Sequence, residues 1–123
     1  MDRKETGKKG EDAACLYLLG LGHSILERNW RYGHLEIDII SADGSGLHFV
    51  EVKSRTAPAA ADPELNVDRA KQRRLVQAAL GYLHGRGHAF ADTEVNFDII
   101  SILFEHNNTI INYYPQAFIP IYD

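Results

Sequence analysis

With 123 residues, 45% hydrophobic and 24% charged, the chain has a globular composition and can bury one core, roughly two-thirds of its unfolded surface. It holds no apolar run of about 18 residues, and its opening MDRKETGKKGED lacks the apolar stretch of a secretory signal; its one cysteine, Cys15, excludes an internal disulfide framework. We therefore expect a single domain over residues 1–123, cytoplasmic, with no membrane partner.

Gly7 to Leu19 is predicted helical, because Ala14, Leu18 and Leu21, and likewise Glu11, Cys15 and Leu18, recur at helical spacing. The glycines of GLGH (20–23) end it. Ser24–Trp30 reads as a short extended stretch. Leu35–Ser41 alternates Leu35, Ile37 and Ile39 with Glu36, Asp38 and Ile40, ADGSG (42–46) is a turn, and Leu47–Lys53 is the returning strand. Residues 56–66 are Pro/Ala-rich without periodicity and read as a mobile loop. Val67–Leu83 forms a second helix, with Lys71, Leu75, Ala78 and Tyr82 on one face. Val95–Phe104 and Ile110–Tyr114 are strands around a turn at 105–109. The resulting order, αβββαββ, predicts an α/β domain with a mixed sheet.

Charge narrows the partners. The net charge is -4, which disfavours indiscriminate polyanion binding. No Lys or Arg follows Arg86, however, so the basic residues concentrate in the first two-thirds of the chain. One basic face can still steer a nucleic acid.

The central hairpin carries the chemistry. Centred between Gly44 and Ser45, it opposes residues whose numbers sum to 89, so Asp38 faces Glu51 and Glu36 faces Lys53. Residues two apart share a face. All four side chains then project together, with Phe49, away from the core side of Val50 and Val52. Opposed Cβ atoms lie about 4.5–5.5 Å apart. Two carboxylates that close must raise a pKa or hold a cation, and Mg²⁺ favours one or two carboxylates with waters. A lysine beside them suits phosphodiester hydrolysis. The same residues also read as a solvated sheet face with an ordinary Glu36–Lys53 ion pair.

EID (36–38) followed by FVEVKSR (49–55) resembles the active-site signature of the PD-(D/E)XK nuclease superfamily, the fold of type II restriction enzymes and archaeal Holliday-junction resolvases. More narrowly, the chain resembles the YraN-like family of small bacterial predicted endonucleases. The likeness runs through GKKGEDAACLYL (7–18), ILERNWR (25–31), KQRRLVQAALGYL (71–83), NFDII (96–100) and AFIP (117–120). It departs where Leu35 stands in place of a glycine, Asn96 in place of an arginine and Ile37 in place of the proline.

The resemblance implies a restriction-endonuclease-like core and a Mg²⁺- or Mn²⁺-dependent endonuclease acting on DNA, branched or single-stranded, with a homodimer as one arrangement. Asp38, Glu51 and the Val52 carbonyl would be the metal ligands. Lys53 would serve water and phosphate, and Glu11 would be a further acid aimed at the site. The alternative is a nuclease-like fold that binds nucleic acid or a partner without catalysis.

Arg31, Arg55 and Lys71 are the candidate phosphate contacts, while Arg73 and Arg74 read as a solvated helix face. Trp30, Tyr32, Tyr113 and Tyr114 read as packing before base stacking. Glu36, His34 and Gln72 receive no role. The six histidines (23, 34, 48, 84, 88, 106) show no ligand spacing and are assigned none.

Overall fold

A computed structural model describes residues 2–57 and 67–120. Along the chain run α1 (Arg3–Gly20), β1 (Ser24–Tyr32), β2 (Leu35–Asp43), β3 (Gly46–Thr56), α2 (Arg69–His84), a 3-10 turn at His88–Phe90, β4 (Val95–Glu105) and β5 (Asn108–Tyr114). The order is the αβββαββ expected from sequence, and the mixed sheet flanked by helices is consistent with a restriction-endonuclease-like core.

Both helices begin at an aspartate. Asp2 accepts the Glu5 amide at 2.8 Å, which starts α1 four residues earlier than its apolar spacing suggests. Asp68 accepts the Lys71 amide at 2.8 Å and opens α2. Gln72, which has no role assigned by its sequence position, donates its side-chain amide to the Val67 carbonyl at 2.7 Å and so braces the entry to α2. Residues 58–66 of the expected loop lie outside the described residues, and Thr56 belongs to β3. Asn107 takes φ 62° in a tight two-residue turn, so Asn108 and Thr109 join β5.

The sheet runs β1-β2-β3-β4-β5. β3 and β4 are parallel and the other neighbours antiparallel. A parallel pair needs a crossover, and α2 lies between β3 and β4 in the chain. β3 and β4 are therefore central and covered on both faces. Beneath α2, Leu75, Val76, Ala78, Ala79 and Tyr82 pack with Leu35, Ile37, Ile40, Leu47, Phe49 and Phe97. Beneath α1, Ala14, Cys15 and Leu18 pack with Ile39, Val50, Ile100 and Ile102.

One expectation is corrected here. Phe49 does not face away from the core: it is buried beneath α2, stacked on Phe97 with ring centroids 5.5 Å apart. Alternation alone implies a half-covered sheet, but α1 and α2 cover opposite faces, so each parity of β3 meets a helix.

Gly10 sets how closely α1 approaches. A Cβ there would overlap the Ser54 hydroxyl on β3. Only glycine lets the helix lie this near the strand, and its neighbour Glu11 is carried to the sheet with it.

Candidate functional site

The hairpin register is the expected one. Asp43–Gly46, Ala42–Leu47, Ser41–His48, Ile40–Phe49 and Ile39–Val50 pair in turn. There the ladder stops. Beyond it β2 continues against β1 and β3 against β4, so the two strands part like a fork. Consequently neither expected pair, Asp38 with Glu51 or Glu36 with Lys53, forms in the β2–β3 ladder. Glu36 meets Arg31 instead, Nη2 to Oε2 at 3.4 Å, across the β1–β2 ladder.

Asp38 sits at the crotch of the fork. Its Oδ2 accepts the Val52 amide at 2.8 Å, so the side chain takes the place of a strand-to-strand backbone bond. A local twist turns it there. Asn29, between the pairs Arg28–Ile39 and Trp30–Ile37, has φ 51°. Asparagine tolerates this left-handed region better than most residues. Around it Ile37 and Ile39, two apart, pack under different helices.

The electrostatics follow from that placement. Burial first, then the Glu51 charge, push the Asp38 carboxyl up to about 7; the Val52 amide opposes the rise, and Glu11 and Glu36 add to it. Two of the expected acids, Glu51 and Glu11, are thus each close enough to act on Asp38. Glu11 is mostly buried and lies 3.7 Å from Arg28 Nη2. Glu51 meets Lys71 of α2, Oε1 to Nζ at 3.4 Å. Lys71, a candidate phosphate contact, therefore reaches the acidic site itself. Lys53 is half-buried beside it and makes no ion pair or hydrogen bond with a described residue.

The other candidates lie further out. Arg55 is exposed near the end of β3, and His34 is exposed in the turn before β2. Trp30 packs edge-on to Tyr82 at 5.2 Å and Tyr113 donates to Asp98 at 2.6 Å, so both serve packing. A groove of about 490 Å³ along α1 is basic in composition, being lined by Arg3, Lys4, Lys8 and Arg28 together with Glu11 and Asp12. Arg28 is tied to Asp12 at 2.7 Å. The N-terminal basic cluster is visible in sequence, but its alignment with Glu11 needs the helix to be docked.

The family model described as "Uncharacterised protein family UPF0102" matches residues 10–102. The chain belongs to this family. It is 42% identical over 120 residues to a UPF0102 protein of Bacteroides thetaiotaomicron, covering 97% of this chain and 96% of that one. A UPF0102 protein of Geobacter metallireducens is 41% identical over 118 residues, covering 96% and 95%. One of Chlorobium chlorochromatii is 45% identical over 98 residues, covering 80% and 74%. The UPF0102 match runs from within α1 through most of β4 and so includes Glu11, Asp38, Glu51 and Lys53.

Sequence reasoning misses a second group of polar side chains. His23, Asp43 and His48 converge at the opposite end of β2; Asp43 and His48 flank the hairpin turn, but His23 lies 20 residues earlier and no spacing flags it. No helix among the described residues is long and apolar enough to cross a membrane.

Proposed function

We propose that this chain is a metal-dependent endonuclease-like hydrolase acting on DNA, within the PD-(D/E)XK superfamily whose motif it resembles. The observation that carries this reading is Asp38: a carboxyl held by the Val52 amide at the mouth of a strand fork, raised to about 7 by burial and by Glu51. A carboxylate pair that resists joint ionisation is what a hard divalent cation stabilises.

The donor set fits Mg²⁺ or Mn²⁺. Asp38, Glu51 and the Val52 carbonyl would hold the ion, which when bound supplies charge neutralisation and Lewis acidity at the scissile phosphate. Lys53, unpaired among the described residues, would donate to a phosphate oxygen or orient the attacking water. Glu11 would hold a second water or accept its proton. The basic residues lining the α1 groove would seat the phosphate backbone. Cutting both strands of a junction would call for two copies.

Hydrolysis of branched or single-stranded DNA in Mg²⁺ or Mn²⁺ should vanish in Asp38→Ala and in Glu51→Ala while circular dichroism shows the fold intact. Cleavage that survives both changes would sink the reading. The Glu51–Lys71 contact favours a second one: a cation from α2 already answers Glu51, as in a binding module without catalysis. Salt-dependent DNA binding with no cleavage under any divalent ion would select it.

A further inference from the structure

The second polar cluster lies beneath the α1 side of the sheet. Asp43 is five residues along β2 from Asp38, about 16 Å away in an extended strand. His23 follows α1, Asp43 ends β2, and His48 begins β3. Their side chains meet in one place: His23 Nε2 is 3.2 Å from Asp43 Oδ2 and His48 Nε2 is 2.8 Å from Asp43 Oδ1. The two imidazole rings lie 4.5 Å apart.

The opposite edge of each ring is also held. His23 Nδ1 is 2.9 Å from the Ser41 hydroxyl, and His48 Nδ1 is 2.6 Å from Asp98 Oδ2. Asp98 is fixed in turn by the Tyr113 hydroxyl at 2.6 Å and the Gln116 amide at 2.9 Å. Ser45 donates to Asp43 Oδ1 through its amide and its hydroxyl.

We propose that His23, Asp43 and His48 form a binding site for a transition-metal ion of the zinc type, separate from the fork. Three features carry it. Both Nε2 atoms point at one carboxylate while both Nδ1 atoms are oriented by other acceptors, the outer-shell arrangement of metal-bound histidines. The N···O separations approach the edge of a tetrahedron with bonds of about 2.0 Å, which is about 3.3 Å. The histidines are 5% and 4% exposed whereas the Asp43 side chain keeps 25%, which leaves an entry path on the carboxylate side; a water or the Ser45 hydroxyl, 3.1 Å from His48 Nε2, would supply the fourth ligand.

The donor chemistry separates this site from the other. Two imidazoles and one carboxylate suit zinc, cobalt or nickel, whereas an all-oxygen fork suits magnesium or manganese. Burial is the main cause that lowers the His23 pKa, and it favours the neutral form that a ligand needs. In the metal-free chain the carboxylates around His48 favour its protonated form. Burial works against that proton, but hydrogen bonds to Asp98 and Asp43 outweigh it and raise the pKa. The bound ion would tie the end of α1 to the β2–β3 turn.

The test uses untagged wild-type chain stripped by a chelator. Titration with Co²⁺ should give the visible bands of a four-coordinate centre, saturating at one ion per chain. Calorimetry with Zn²⁺ should give a Kd below about 1 μM. His23→Ala should weaken binding at least about tenfold and Asp98→Asn by about 10–100-fold. Asp38→Asn should leave it unchanged, and this separates the site from the proposed catalytic one. No saturation up to about 1 mM on the wild-type chain would overturn the proposal and leave a cluster held by its hydrogen bonds alone. Binding that survives His23→Ala but is lost in Asp38→Asn would also overturn it.

Discussion

The Val52 amide donates to Asp38 Oδ2 at 2.8 Å, at the point where β2 and β3 cease to pair. A backbone donor that would otherwise pair within the sheet is answered by a carboxylate. That single substitution opens the fork and fixes its acid.

It also sets a pH dependence. Burial and the Glu51 charge raise the folded carboxyl to about 7 from its ordinary value of 3.8. Between those values the folded state binds the extra proton, so its stability falls as pH rises through the window. Asp38→Asn should therefore stabilise the metal-free protein at pH 8, with the gain fading towards pH 4. Urea unfolding at the two pH values checks this. An equal difference at both would refute the assignment.

Glu51 is the charged neighbour that raises Asp38 most after burial. Glu51→Gln should lower the Asp38 pKa, read from its side-chain carbon shift by NMR. The Lys71 partner is part-exposed, so Lys71→Ala should change stability by less than about 1 kcal/mol. A larger loss would mean that Lys71 holds the site together.

Gly10 admits no side chain against Ser54. Gly10→Ala should cost about 1–3 kcal/mol by overpacking and should reduce any cleavage activity further than stability explains, because Glu11 moves with the helix. Ser54→Gly in the same chain should restore much of both. Failure of that rescue would locate the damage elsewhere.

Asn29 carries the left-handed turn opposite Asp38. Asn29→Gly should be nearly neutral. Asn29→Val should destabilise by about 1–3 kcal/mol, measured by thermal unfolding with circular dichroism. Equal effects from both would remove backbone strain as the cause.

If the α1 groove seats DNA, charge removal at Arg3, Lys4 and Lys8 should flatten the salt dependence of binding. The slope of log K against log salt should fall by about 0.7–0.9 for each phosphate that the groove then leaves unneutralised. An unchanged slope would move the nucleic acid to another face.

Much of this molecule is legible in its residues. Alternation in Leu35–Ser41 and Leu47–Lys53, with Asp-Gly between them, specifies the hairpin and its register as far as Ile39–Val50, and Glu51 acts on Asp38 just beyond that point. The order of elements follows from period and turn chemistry, both local properties. The fork does not follow, because a side chain replaces a ladder bond only once three strands are assembled. Nor does the burial of Phe49, since alternation cannot reveal a second covering helix.

The histidines make the contrast sharpest. His23 and His48 are 25 residues apart with no shared periodicity, yet their rings come within 4.5 Å. Sequence by itself determined the hairpin, its register and the acids on it, because strand period and turn residues act over a few neighbours. Tertiary structure alone decided that Lys71 meets Glu51, that Glu11 reaches the fork and that His23, Asp43 and His48 converge. Those contacts depend on where two helices dock, and docking is set by packing across the sheet rather than along the chain.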